Sequence, residues 1–188
     1  LLDIPALGGT DALADLLRAP DLLKIVHAGS QDVEILTDRL GGVPGPCFDT
    51  QVAGAFAGYG LQTGYGALVQ AVLGVRLDKE EGFADWSRRP LTPSMRAYAA
   101  NDVRYLHALH DRLAARLERR GRAVWAREQT ERILGNAAEP TPPEALWTKV
   151  GGKQALDGVA LAVLRELAIW RDEEARRRYD GPENRALA

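Results

Sequence analysis

The stretch RPLTPSMRAYAANDVRYL, residues 89–106, predicts the start of a long helix. Thr92 suits the N-cap position, Pro93 suits the first helical position, and the alanines that follow are strong helix formers. Tyr98 and Asp102 stand four residues apart, so their side chains share one face of this helix. A carboxylate with a phenol one turn away can hold a metal ion and position a water beside it. The plainer alternative, which the two residues alone favour, is a half-buried core tyrosine and a solvated aspartate.

The composition is that of an ordinary soluble globular protein. The chain has 188 residues, enough for one domain or one and a half, with 46% hydrophobic and 27% charged residues. No apolar run approaches the roughly 18 residues that a membrane span requires. The single cysteine, Cys47, excludes an internal disulfide framework and a cysteine-rich zinc site, and it suits a reducing cytosol. We therefore expect a cytoplasmic protein with no membrane partner.

The net charge does not point to a nucleic-acid partner by itself. It is −2 with 24 basic residues, whereas nucleic acids usually meet a basic surface. An enzyme whose metal ions carry the positive charge needs only a local basic rim, so such a partner is not excluded. Arginines cluster at residues 88–89, 116–127 and 176–178.

Short apolar segments alternate with helical patterns along the first 120 residues. Residues 1–4, 22–28 and 47–48 predict strands, and the middle of 22–28 is β-branched as in a buried strand. The helical patterns begin at capping residues and place apolar side chains on one face. This alternation predicts an α/β sheet with helices on its faces. The predicted helices cover about residues 10–18, 30–40, 50–57, 64–73 and 93–119.

The character of the sequence changes after Gly121. Residues 125–134 predict another helix, and the proline-rich segment 136–147 predicts a linker and a domain boundary. Residues 158–179 form a final amphipathic pattern. Its apolar side carries Val159, Val163, Leu167 and Trp170.

Several of these segments together resemble the ribonuclease D family, in the tyrosine subgroup of the DEDD superfamily of 3′–5′ exonucleases. LDK (77–79), DWSRRPL (85–91) and YAANDVRYL (98–106) resemble the third exonuclease motif. KIVHAGSQDVEIL (24–36) resembles the second motif, and CFDTQVAGAFAGYG (47–60) resembles the segment that follows it. The motifs occur in family order with family spacing, and the resemblance covers nearly the whole chain.

The resemblance implies a fold and a domain organisation. The expected fold is a ribonuclease H-like α/β exonuclease domain followed by an all-helical C-terminal region. Residues 1–120 would form the C-terminal part of the exonuclease domain, and residues 121–155 a helix with the proline-rich linker. Residues 156–188 resemble the start of a helicase-and-ribonuclease-D C-terminal (HRDC) domain.

The resemblance also implies the residues of the site. Asp32 and Asp102 would be two of the four acidic residues that bind two divalent cations, Mg²⁺ or Mn²⁺, whose preferred ligands are carboxylate oxygens. Tyr98 would orient the attacking water, and we favour a positioning role because phenols keep their proton at neutral pH. The alternative for Asp32 is a helix-start aspartate that is stabilised by the helix dipole.

Three further residues are candidates for contact with substrate. Lys79 and Arg89 flank the third motif and could meet a phosphate or the RNA end, although Arg89 could equally pair with an acidic neighbour. His27 stands at a strand end before the helix of Asp32, where a packed or backbone-bonded histidine is the favoured alternative to a substrate contact. Asp49 and Asp85 are predicted as capping or turn residues, not as ligands.

One family feature has no counterpart in residues 1–30. The first motif of the family, an aspartate and a glutamate two residues apart on the first strand, is not found there. We therefore expect the leading strands of the sheet to be missing from this chain, and the chain alone to be inactive.

The resemblance implies a 3′–5′ exoribonuclease that releases nucleoside 5′-monophosphates from RNA by a two-metal-ion mechanism. Its expected partner is RNA with a single-stranded 3′ end, with tRNA precursors as the target, and no obligate protein partner is evident. Two alternatives stay open. One is a DNA 3′–5′ exonuclease of the same superfamily, such as a proofreading domain, and the other is a catalytically inactive RNA-binding module.

Overall fold

The structure, a computed structural model, describes residues 11–40, 45–77, 84–86, 88–139 and 141–179. The described chain forms two compact units, Asp11–Ala138 and the residues from Glu139 onward. The predicted strand at residues 1–4, the predicted cap Thr10 and the candidate Lys79 lie outside the described residues.

The first unit alternates helices with two short strands. Its order is α1, β1, α2, β2, α3 and α4, followed by the helices α5, α6 and α7. The helices are α1 Asp11–Arg18, α2 Ser30–Leu40, α3 Thr50–Ala57, α4 Tyr65–Leu73, α5 Pro93–Arg104, α6 Leu106–Arg119 and α7 Ala123–Ala138, and the strands are β1 Lys24–Val26 and β2 Cys47–Asp49.

The strands β1 and β2 pair in parallel, in the register Lys24 to Cys47, Ile25 to Phe48 and Val26 to Asp49. Parallel neighbours need a crossover connection, and α2 supplies it. This β–α–β unit confirms the predicted α/β alternation, although each strand has three residues and β1 is shorter than the predicted segment 22–28.

The core of this unit lies between α3, α4, α6 and α7. Leucines at every fourth position of α6 are almost fully buried, as expected for the inner face of an amphipathic helix. α3 presents small residues to this core, and a Cβ added to Gly54 would lie 3.1 Å from Leu68 Cδ1. Small side chains on α3 therefore let α4 approach closely. The buried cluster consists of Ala53, Ala57, Leu68, Val69, Leu109, Leu113, Leu117 and Ala126.

The prediction of one continuous helix over residues 93–119 is wrong at Tyr105. α5 ends at Arg104, α6 begins at Leu106, and Tyr105 between them has φ −102° and ψ 2°. Its backbone N–H donates to the phenolic oxygen of Tyr65 at 3.1 Å. Helices kink where a side chain enters the hydrogen-bond ladder, and a side chain from another element cannot be foreseen from local sequence.

The second unit is helical. It contains two 3₁₀ helices, Pro143–Lys149 and Lys153–Ala155, and the helix α8, Gly158–Tyr179, whose bounds confirm the prediction. α8 packs against the first 3₁₀ helix, where the Arg165 guanidinium lies 4.7 Å from the centre of the Trp147 ring. The apolar side of α8 is exposed instead of buried, with Trp170 61% accessible. None of the helices described here is both long and apolar enough to cross a membrane.

Candidate active site

The candidate site lies where the parallel strands β1 and β2 end. The carboxyl ends of parallel strands meet at one edge of a sheet, and ligands of α/β proteins bind there. His27 directly follows β1, and Asp49 is the last residue of β2. Asp32 lies in the first turn of α2, which begins three residues after His27, and its side chain is exposed.

Asp49 ties the two strand ends together. Its carboxylate accepts hydrogen bonds from the backbone N–H groups of Ala28 and Gly29 after β1, at 3.1 and 3.0 Å. It also accepts from Gln51 N and Val52 N, at 2.8 and 3.3 Å, as the N-cap of α3. The carboxylate is buried and engaged by four backbone donors, so the prediction of Asp49 as a cap is confirmed.

The turn from β1 into the helix of Asp32 is tight. Ala28 has a left-handed backbone with φ 54°, which costs an alanine conformational energy. A Cβ added to Gly29 would lie 2.7 Å from Cγ2 of Val26, so only glycine fits there. The bonds to Asp49 hold this turn, and with it the start of the helix that carries Asp32.

His27 is held by the adjacent strand end. The Thr50 hydroxyl donates to the Val26 carbonyl at 2.9 Å, so the His27 Nδ1, 2.9 Å from the same hydroxyl, must be its donor. Burial lowers the pKa of His27, while the charge of Asp49 and the Thr63 carbonyl raise it in part. The ring is therefore neutral at physiological pH with its proton on Nδ1. Its buried Nε2 has no hydrogen-bond partner among the described atoms.

Tyr65 joins His27 to the helix pair α5–α6. The rings of His27 and Tyr65 meet edge to face, with centroids 5.5 Å apart. The Tyr65 hydroxyl accepts from Tyr105 N. Burial raises the pKa of Tyr65, the bond from Tyr105 lowers it, and the negative charge of Asp102 raises it further. The end of α5 that bears Asp102 therefore lies beside the strand ends.

Tyr98 and Asp102 lie one turn apart on α5, as predicted. The Thr92 side chain caps this helix by accepting from Met95 N at 3.1 Å, and Pro93 opens its first turn, which confirms both predictions. Asp102 is exposed at the surface, yet partial burial raises the pKa of its carboxyl. Tyr98 is half-buried against Trp86, with ring centroids 5.9 Å apart and planes inclined at 50°.

Trp86 is a site residue that sequence reasoning did not single out. It belongs to the segment DWSRRPL, which precedes the segment YAANDVRYL that contains Tyr98. Its aromatic side chain within the same motif was the signal that the sequence offered. Its backbone carbonyl also accepts from Arg89 Nη1 at 2.9 Å, as does the carbonyl of Arg88. Arg89 thus braces the loop that leads into α5.

The structure places the predicted metal ligands on two elements. Asp32 is on α2 and Asp102 on α5, and both carboxylates reach solvent. Within the described ranges, three or more acidic, histidine or cysteine side chains do not gather at any one point. The two aspartates offer hard oxygen donors of the kind that Mg²⁺ and Mn²⁺ prefer, and they fit such a cation as part of a larger ligand set.

Comparison with known proteins gives a consistent result. A family model described as 3′–5′ exonuclease matches residues 4–118. Ribonuclease D of Acidiphilium cryptum is 41% identical over 179 residues, which cover 94% of this chain and 43% of that protein.

Solved structures agree with the sequence comparison. The crystal structure of Escherichia coli RNase D, an exoribonuclease involved in structured RNA processing, has a TM-score of 0.76 and 35% identity over 90% of this chain and 45% of its own. Brucella melitensis NrnC bound to pGG has a TM-score of 0.61 and 31% identity over 66% of this chain and 61% of its own. The same protein with bound Mg²⁺ has a TM-score of 0.60 and 29% identity, over 78% of this chain and 67% of its own. The chain spans a little under half the length of the ribonuclease D proteins that it matches.

Proposed function

This chain belongs to the 3′–5′ exonuclease family and is similar to ribonuclease D proteins, and from that premise we propose that the complete protein removes nucleotides one at a time from the 3′ end of RNA. The observation that carries the proposal is the pair Tyr98 and Asp102, one turn apart on a helix that is tied to the strand ends near Asp32. The product of each step is a nucleoside 5′-monophosphate.

We assign the roles of the residues as follows. Asp32 and Asp102 hold divalent cations, Mg²⁺ or Mn²⁺, together with further acidic groups. Bound cations of this kind activate a water and offset the charge that develops on the phosphate and the leaving oxygen. Tyr98 donates its hydroxyl hydrogen bond toward the attacking water and fixes the direction of attack, and the Trp86 ring limits the movement of the phenol.

We propose contacts with the RNA for His27, Lys79 and Arg89. His27 directly follows β1, next to the turn into the helix of Asp32, and its contact with the RNA is proposed from this position and from the resemblance of its motif. Arg89 stands in the loop before α5, where its guanidinium is exposed. Lys79 is proposed on the resemblance of its motif alone.

The finer features of the proposal concern substrate and setting. The RNA has a single-stranded 3′ end, with tRNA precursors as the biological target, and the protein works in the cytoplasm without an obligate protein partner.

The proposed domain organisation has three parts. Residues 1–120 belong to the exonuclease domain, residues 121–155 form a helix and a linker, and residues 156–188 begin an HRDC domain. The division between the two compact units, after Ala138, falls inside the connecting segment and supports this organisation.

The test uses the complete protein and one RNA labelled at its 5′ end, with a single-stranded DNA of the same sequence in parallel. We expect a ladder of RNA products shortened from the 3′ end, release of 5′-monophosphates, and loss of both when a chelator removes divalent cations. Equal or faster shortening of the DNA would favour the DNA exonuclease. Binding of RNA without shortening, in Mg²⁺ and in Mn²⁺, would favour the inactive RNA-binding module.

A further inference from the structure

The interruption between α5 and α6 falls at Tyr105. Residues 94–119 contain neither glycine nor proline, so local sequence supplies no reason for a break. In a continuous helix, the N–H of Tyr105 would point to the carbonyl four residues earlier. It donates to the Tyr65 hydroxyl, 40 residues away in the chain, and also to the Val103 carbonyl only two residues earlier.

Tyr65 is well placed to impose this geometry because its own position is fixed from two sides. It is the first residue of α4, whose Leu68 and Val69 are fully buried in the core. Its ring meets His27, which is bonded through Thr50 to the end of β1. The hydroxyl therefore projects from a rigid frame toward the helix junction.

We propose that Tyr65 is a positioning residue for the nuclease site. The hydroxyl oxygen accepts the Tyr105 N–H and thereby fixes the direction of the last turn of α5. Asp102 lies in that turn, three residues before Tyr105, and Tyr98 lies one turn earlier. The orientation of both side chains relative to the strand ends thus depends on one hydrogen bond from another helix. The inference rests on the function proposed above and adds a residue that the exonuclease motifs do not contain.

The matched experiment compares two tyrosine-to-phenylalanine variants of the complete protein. Tyr65→Phe removes the hydroxyl and keeps the ring against His27. Tyr59→Phe is the control, because the Tyr59 hydroxyl accepts from Arg116 Nη1 at the same distance, 3.1 Å, near the opposite end of α6. Each variant loses one partly buried phenol hydrogen bond, but only Tyr65→Phe disturbs the junction beside Asp102.

Two readouts are measured on each variant. Amide hydrogen exchange of residues 101–109 reports the junction without reference to activity, and we expect exchange at Tyr105 to become about 2- to 10-fold faster in Tyr65→Phe, the range for loss of one such bond. Steady-state kinetics on a short single-stranded RNA should show kcat reduced roughly 10-fold, with KM within about twofold, because a misdirected group loses turnover more than binding. Tyr59→Phe should match the wild type in both.

The possible outcomes separate this inference from the proposed function. Unchanged exchange at Tyr105 together with unchanged kcat in Tyr65→Phe would overturn the role of Tyr65, while Asp102→Asn could still abolish activity. A decrease of kcat that is equally large in Tyr59→Phe would also overturn it, because the effect would then be one of general stability. If Asp102→Asn leaves activity intact, the proposed function fails, whereas the exchange result still tests the junction by itself.

Discussion

The carboxylate of Asp49 accepts a hydrogen bond at 3.0 Å from the backbone N–H of Gly29, across the gap between the ends of β2 and β1. Together with the bond from Ala28 N, it joins the strand that precedes α3 to the turn that starts the helix of Asp32. Asp49 is 2% exposed, so the bond is shielded from water.

We predict that Asp49→Ala is strongly destabilising. The change removes the cap of α3, worth about 1 kcal/mol. It also leaves buried N–H donors without an acceptor, which costs about 1–3 kcal/mol. A loss of roughly 3 kcal/mol is therefore expected in the free energy of unfolding, measured with urea. Asp157→Ala is the control, because Asp157 caps α8 at an exposed position by accepting from Ala160 N at 2.8 Å. Similar losses in both variants would contradict a special role for the link to Gly29.

We predict that Asp102→Asn abolishes nuclease activity and leaves the fold intact. The substitution keeps the shape of the side chain and removes the negative charge of a metal ligand. The bound cations stabilise the transition state by several kcal/mol. Activity should fall below about a tenth of the wild-type value, on a short RNA with a single-stranded 3′ end.

We also predict that Asp102→Asn does not destabilise the protein in the absence of metal. Burial raises the pKa of Asp102 in the folded state, so the ionised form is less favourable when the protein is folded than when it is unfolded. Asp102→Asn removes this cost above the folded-state pKa. In the presence of a chelator at pH 7, the variant should thus melt at the same temperature as the wild type or slightly above it. A lower melting temperature would show that Asp102 has a structural role.

We predict that Tyr98→Phe lowers turnover and not substrate binding. The ring still packs against Trp86, and only the hydroxyl that orients the water is lost. The expected decrease in kcat is roughly 10²-fold, the scale for a positioned proton-transfer or hydrogen-bonding group, with little change in RNA affinity. An increase in KM with unchanged kcat would make Tyr98 a binding residue. Trp86→Phe should give a smaller decrease, because it loosens the phenol without removing its hydroxyl.

We predict that His27 makes the stability of the protein depend on pH. Because burial lowers its folded-state pKa, the unfolded chain binds a proton more readily, and the stabilising contribution of the neutral ring is present above the unfolded pKa near 6.5. That contribution is lost as the pH falls from about 6.5 toward the folded value. The free energy of unfolding, measured by chemical unfolding at pH 7.5 and 5.0, should decrease less between these two values in His27→Gln than in the wild type. The control is His107→Gln, at an exposed position of α6, which should behave as the wild type does.

Many structural features of this protein could be predicted from the sequence because they depend on residues close together in the chain. Caps depend on one side chain and the next three residues, so Thr92 and Asp49 were predictable. The bounds of α8 followed from an apolar pattern that begins at Gly158. The spacing of Tyr98 and Asp102 required only the period of a helix.

Tertiary structure alone decided the features that depend on distant residues. No glycine or proline between residues 94 and 119 predicts the interruption at Tyr105, and the hydrogen bond from Tyr105 N to the Tyr65 hydroxyl joins residues 40 positions apart. The engagement of Asp49 with Ala28 and Gly29 likewise requires the strands to be paired first.

The sequence by itself determined which residues could perform chemistry, since helical spacing and motif order are properties of the chain. The tertiary structure decided how they are oriented. The turn that carries Asp102 ends at Tyr105, which is hydrogen-bonded to Tyr65, and the helix that carries Asp32 starts from a turn that Asp49 holds. The physical reason is that a hydrogen bond between residues distant in sequence forms only after packing has brought its donor and acceptor to about 3 Å.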